Sequence, residues 1–336
     1  MAFAGDSAAY SPKEFKVAIA YEGTTGTAET TGFISLDVDS VGFPSLNPNQ
    51  VVDVRTGTGR VLKEADFFQS NKATVKEISV SGNAWSNGIT SLLENICNDT
   101  SSPYLVSDTY SPKEVEHGTD SITDFTSTFT VVMVSPESNS TMIFPGCVCS
   151  ALSLSGDMGT ESGRVKFSAT FKTGYKPSLS GTDPTISTLY SAGNQRYMTD
   201  WTTVKTVAGI TNSVIQSFTL NLENDAVMLG YQGSNGDPEV INRASEFSAA
   251  MDMQIKYDSG TEPLIASFET QSPGTPGVLT ELSNNALWGS ATYFGIRLAD
   301  GVMTNVAFSE GDVMMLDVSQ KATAASGGNL FEVIYS

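Results

Sequence analysis

Histidine occurs once in the 336 residues, as His117. Histidine is the usual general base for a serine or cysteine nucleophile, so a single copy removes most hydrolase plans. It also argues against a histidine-based zinc site. His117 stands in the polar stretch from Glu114 to Asp120 and reads as a surface residue in a loop between a helix and a strand. The cysteines are Cys97, Cys147 and Cys149. Cys147 and Cys149 are two apart, so on a strand they face the same way, and they form no CxxC pair. An odd count reads as reduced, buried structural thiols. Acidic pairs recur at Asp37/Asp39, Glu223/Asp225 and Asp237/Glu239. Calcium needs roughly six to eight converging oxygens, and none of these pairs sits in the loop pattern of a calcium hand. Alternating carboxylates on a strand read as a solvated face. No carboxylate pair stands out for glycoside hydrolysis, where the separation is a matter of three dimensions. Gly57-Thr58-Gly59-Arg60 superficially resembles a phosphate loop, but it lacks the GxxxxGK[ST] spacing and a strand–loop–helix setting. A flexible loop tip is the better reading. Trp85, Trp201 and Trp288 sit singly near turns, as core residues or interface anchors. No catalytic set, cofactor cradle or metal site emerges, so an enzyme is not expected.

The elements that would carry these residues are mostly strands. Charged residues make up only 16% of the chain, against about 25% in ordinary globular domains. Serine and threonine fill the gap, and with many Val, Phe and Tyr this is the composition of an all-β protein. The balance of 37 acidic to 18 basic residues gives a net charge of −19. Such a surface is unsuited to gripping nucleic acid or an anionic membrane. No apolar run reaches the roughly 18–20 residues of a membrane span. Met1 to Tyr10 shows no basic region followed by an apolar stretch, so no secretion signal is expected.

Period-two alternation is the clearest pattern. Val165, Phe167, Ala169 and Phe171 alternate with Lys166, Ser168, Thr170 and Lys172. Phe218, Leu220 and Leu222 alternate with polar residues, as do Phe247 to Tyr257. Each reads as a half-buried strand of an antiparallel sheet. Further strands are expected at 75–81, 125–134, 147–154, 293–298, 302–308 and 313–318. Ile89, Leu92, Leu93 and Ile96 have helical spacing, with Ser86 or Asn87 available as a cap. A second short helix is expected over 262–270, opened by Pro263, with Leu264, Ile265 and Phe268 as its buried stripe. The order strand, short helix, three strands occurs twice. That suggests a duplication: residues 1–176 as an N-terminal arm, a long loop and a first domain; 177–212 as a connecting segment; 213–336 as a second domain. The alternative is one elongated β domain with two incidental helices.

Several stretches resemble the major tail tube proteins of long-tailed bacteriophages. Phe15 to Ala28 is similar to that family's opening strand and its Glu-x-x-x-Gly-Thr turn, here Glu22 to Thr27. Arg55 to Arg60 resembles its Arg/Gly loop ahead of a Gly-ended strand, here Ile78 to Gly82. Phe144 to Leu154 is similar to its Gly-Cys-x-x-x-x-Leu-x-Leu strand, and Val165 to Tyr175 to the strand that follows. Ser217 to Asp225 and Glu246 to Asp258 resemble strands of the same kind in the second half. The resemblance implies a mainly β fold: two tandem antiparallel β-sandwich or barrel-like tube domains, each with one short flanking α-helix. It implies a structural subunit that self-assembles into rings, three two-domain chains or six chains if not duplicated, stacked into a hollow tail tube. Genomic DNA would pass through without specific binding, and tape measure, tail terminator or baseplate proteins would be partners. The location would be the virion tail, after synthesis in the bacterial host cytoplasm. No cofactor, metal or membrane is implied. The long stretch 41–73 would then contact the next ring through Asn49, Arg55, Thr56, Gly57, Thr58, Gly59 and Arg60, where two scarce positive charges flank two glycines. The competing readings are another phage β component, such as a head decoration or baseplate protein, or a carbohydrate-binding adhesive module.

Overall fold

Alternating sequence becomes antiparallel strand over most of the chain. The computed structural model describes residues 11–44, 50–52, 67–69, 75–97, 113–118, 128–136, 140–201, 203–231, 236–271, 277–285, 294–310, 313–323 and 329–335. In chain order the first strands are β1 (Lys16–Tyr21), β2 (Phe33–Leu36), β3 (Val38–Gly42), β4 (Gln50–Val52), β5 (Phe67–Gln69) and β6 (Lys76–Asn83). Helix α1 (Ser86–Cys97) follows, then β7 (Lys113–Gly118), β8 (Phe129–Val134), β9 (Thr141–Asp157), β10 (Lys166–Thr173), β11 (Ser178–Ser180), β12 (Ile186–Thr188) and β13 (Val204–Thr206). The rest are β14 (Ile215–Glu223), β15 (Ala226–Leu229), β16 (Val240–Arg243), β17 (Ser248–Lys256), helix α2 (Pro263–Glu269), β18 (Val278–Ser283), β19 (Phe294–Ser309), β20 (Met315–Thr323) and β21 (Asn329–Tyr335). The protein is mainly β, as its alternation and composition suggest.

Two strands organise the sheets. The first part of β9 pairs with β8, and its second part pairs with β10. Likewise β19 pairs first with β18 and then with β20. Each long strand therefore passes from one sheet to another. The sequence reading placed only 147–154 of β9 in a strand and divided β19 into 293–298 and 302–308. Each is one continuous strand whose partner changes near Gly146 in β9 and Gly301 in β19.

The pairing order is the same in both halves. β3, β6, β10 and β9 lie side by side in the first, and β14, β17, β20 and β19 in the second. The partner sheets also correspond: β1, β8, β9 and β11 in one, β13, β18, β19 and β21 in the other. β2 extends the first beyond β1 and carries β12 as its parallel neighbour. One contiguous apolar core runs through both halves, from Ile19 and Phe129 to Phe294 and Val333.

The expected faces hold. Val165, Phe167, Ala169 and Phe171 are buried, as are Phe218, Leu220 and Leu222. The two helices differ from expectation. α1 reads as amphipathic, yet Thr90, Ser91, Glu94 and Asn95 are buried along with its apolar stripe, because it lies among β2, β7 and β9. In α2 only Leu264 is fully buried, while Ile265 and Phe268 are half-buried. His117 belongs to strand β7, which pairs with β21, rather than to a loop.

Candidate assembly surface

The two four-stranded sets join into one sheet. β14 pairs antiparallel with β9 from Ser217↔Asp157 to Glu223↔Ala151, so the strand order is β3-β6-β10-β9-β14-β17-β20-β19. A single row of partners crosses all eight strands: Ser40, Ser81, Ser168, Ser153, Asn221, Ala250, Lys321 and Val302. The neighbouring row faces the core with Phe167, Leu154, Leu220 and Met251. One face of this sheet is thus a field of hydroxyls and amides. Lys166, Lys172, Lys256 and Lys321 on it stand against Glu77, Asp157, Glu223, Asp252, Asp300 and Asp317, so these strands carry four cations against six carboxylates there, in a chain of −19. Among the described residues, β3 and the second part of β19 each lack a neighbour on their outer side. These are the two edges of the sheet, and unpaired edges seek a strand.

The join is reinforced at a β-bulge. The ladder slips where Thr170 pairs with Ala151 but Phe171 pairs with Cys149, leaving Ser150 extra. A bulge strips partners from local backbone groups. Two asparagines replace them. Asn95 Oδ1 accepts from Cys149 N at 2.6 Å, and Asn224 Nδ2 donates to Cys149 O at 2.7 Å and to Ile96 O at 3.2 Å. Asn224 N donates to Ser150 O at 3.0 Å. Both asparagines are fully buried. Asn224 directly follows β14 while Asn95 lies on α1, so the bulge is where the halves are stitched. The slip also turns Val148 to the polar face, where the β15–β16 hairpin buries it with Ala226, Met228 and Ile241. Beside the bulge, Lys172, Glu223, Asp225 and Glu246 line an open cleft of about 380 Å³.

A second polar centre holds the opening turn. Glu22 accepts four hydrogen bonds: Thr128 Oγ1 at 2.6 Å, Gly26 N at 2.7 Å, Gly146 N at 2.8 Å and Thr130 Oγ1 at 2.9 Å. Burial nevertheless raises its carboxyl above the usual range, against the lowering effect of those donors. Gly26 and Gly146 both have positive φ, and a Cβ on either would stand 2.1 Å from the Tyr175 ring. The tyrosine is therefore gripped between two glycines that no other residue can replace without displacement.

The residues singled out for chemistry stay apart. Cys97, Cys147 and Cys149 form no disulfide with one another, and burial pushes the last two thiols up. Among the described residues no three His, Cys, Asp or Glu side chains converge on a metal position, and no helix is long and apolar enough to cross a membrane. Trp85 and Trp201 are core residues, the latter stacked on Phe294. Asn49, Arg55, Thr56, Gly57, Thr58, Gly59 and Arg60 lie outside the described residues, as does Trp288. Sequence reasoning missed the roles of Asn95 and Asn224. Glu22 entered only through the Glu-x-x-x-Gly-Thr resemblance, and its donors Thr128, Thr130 and Gly146 lie 106, 108 and 124 residues away. No protein-family model matches the chain, and no curated protein matches it.

Proposed function

We propose that the chain is a structural subunit that closes into rings by sheet extension, and that the rings stack into a hollow tail tube through which DNA passes. The observation that carries this is the β9·β14 join. Two sets with the same pairing order meet edge to edge in one chain, and the outer edges, β3 and β19, are the counterparts of the two strands that meet inside. A second copy can therefore add at either edge by the same antiparallel contact. A head-to-tail contact of this kind gives a ring when the rotation closes. Three chains would supply six equivalent four-stranded sets.

The polar face supports the passage of DNA. DNA carries one negative charge per ~1.7 Å of axis, and basic side chains that neutralise it hold it. A wall of Ser, Thr and Asn with a small excess of carboxylates does not hold a duplex. The stretch containing Asn49 and Arg55 to Arg60 is assigned to contact between stacked rings. Electron microscopy of the purified protein tests the reading. Stacked rings with threefold or pseudo-sixfold symmetry are expected; isolated monomers at high protein concentration would overturn it.

A further inference from the structure

The segments that lead into the first strand of each half are built alike. Before β13, Met198–Asp200 form a 3-10 turn in which Asp200 Oδ2 accepts from Tyr197 N at 3.1 Å, and Trp201 follows. Before β1, Pro12–Glu14 form the same turn, with Glu14 Oε2 accepting from Ser11 N at 2.6 Å and Phe15 following. Trp201 lies edge-on to Phe218 of β14, ring centres 4.7 Å apart. Phe15 lies edge-on to Phe43, just past β3, at 5.1 Å. β14 and β3 hold the same place in their two sets.

The turn before β13 also covers the end of the other half. Met198 is buried against Gly156 and Gly163, which flank the turn between β9 and β10. Val165 N donates to Arg196 O at 2.8 Å, and the Arg164 guanidinium lies 5.9 Å from the Tyr197 ring centre. So the end of the β9–β10 hairpin is capped by the segment that enters the next half. Among the described residues, the matching end of the β19–β20 hairpin has no such cover: Phe308, edge-on to Tyr257, is still 51% exposed, Val313 61% and Met314 48%.

We infer that this bare hairpin end is the seat for a second copy of the chain, which presents its Pro12–Phe15 turn and its β3 edge. The seam between chains then repeats the seam within the chain. Phe15 and the 39% exposed Phe43 of the incoming copy stand where Trp201 and Phe218 stand inside. The inference rests on the ring reading and adds the residues that make its contact.

The test is sedimentation of the full chain with the double variant Phe308→Ser/Met314→Ser, and separately with Phe43→Ser. Leu179→Ser, at a 78% exposed position on β11, is the control. Thermal melts check that each free subunit stays folded. At least tenfold weaker association is expected for both seat variants, with no change for the control. Wild-type association matched by the seat variants overturns this seat and leaves ring formation standing. A wild-type chain that stays monomeric overturns the ring reading and the seat together.

Discussion

Phe167 and Phe308 both stand on strands, and they should respond oppositely to truncation. Phe167 is 3% exposed in the core between the sheets, whereas Phe308 is half open. Phe167→Ala should destabilise the free subunit by about 3–5 kcal/mol, while Phe308→Ala should change it by less than about 1 kcal/mol. Urea unfolding of both variants measures this, and a small loss at Phe167 would mean that the β10 face is assigned backwards. Glu22 gives a pH signature. Its folded-state pKa is raised, so the stability its protonation contributes is complete below the unfolded value of about 4.3 and is lost as pH rises through the raised folded value. Glu22→Gln removes that titration. The stability advantage of the wild type over the variant should therefore shrink as pH rises through the window, by unfolding at stepped pH. A widening gap would show that the four donors outweigh burial.

The bulge at Ser150 makes a prediction for a whole element. Removing Asn95 leaves the buried N–H of Cys149 without its acceptor, and removing Asn224 leaves Cys149 O and Ile96 O without their donor. An unsatisfied buried backbone group costs about 1–3 kcal/mol. Asn95→Ala and Asn224→Ala should each lose that much, and the double variant should lose less than the sum because both serve one backbone unit. Thermal unfolding of the three variants checks it; strict additivity would mean that the two act independently. Elements differed in how well their residues announced them. β10, β14 and β17 were legible because one face is wet and one dry, and period two records that contrast. β9 and β19 were legible as strands over 147–154, 293–298 and 302–308 but not as continuous ones, since a strand that crosses between sheets changes its buried face near Gly146 and Gly301. The burial of α1 was hidden for another reason: its cover comes from β2 and β7, distant in sequence. The asparagine stitches were illegible too, because a bulge leaves no periodic trace.

At the scale of the whole molecule, charge and shape oppose each other. Chains of −19 repel at long range, yet sheet extension requires them to touch. Raising ionic strength shortens the Debye length to ~3 Å at 1 M and weakens repulsion more than strand pairing or apolar contact. Moderate salt should speed association, as followed by light scattering against NaCl, and formed assemblies should retain little duplex DNA at any salt in a filter assay. Slower association with salt would point to ion pairs at the seam, and tight retention at low salt would point to a basic surface. The β9·β14 join has a kinetic meaning as well. In the proposed three-chain ring, half of the six joins would be made when the polypeptide folds, at no cost in translational freedom. Closing a ring from free bodies costs an estimated 4–15 kcal/mol per association. A ring of three incurs that cost twice, where six separate bodies would incur it five times. The concentration at which rings first nucleate should accordingly be lower, and its dependence on protein concentration closer to third order than to sixth.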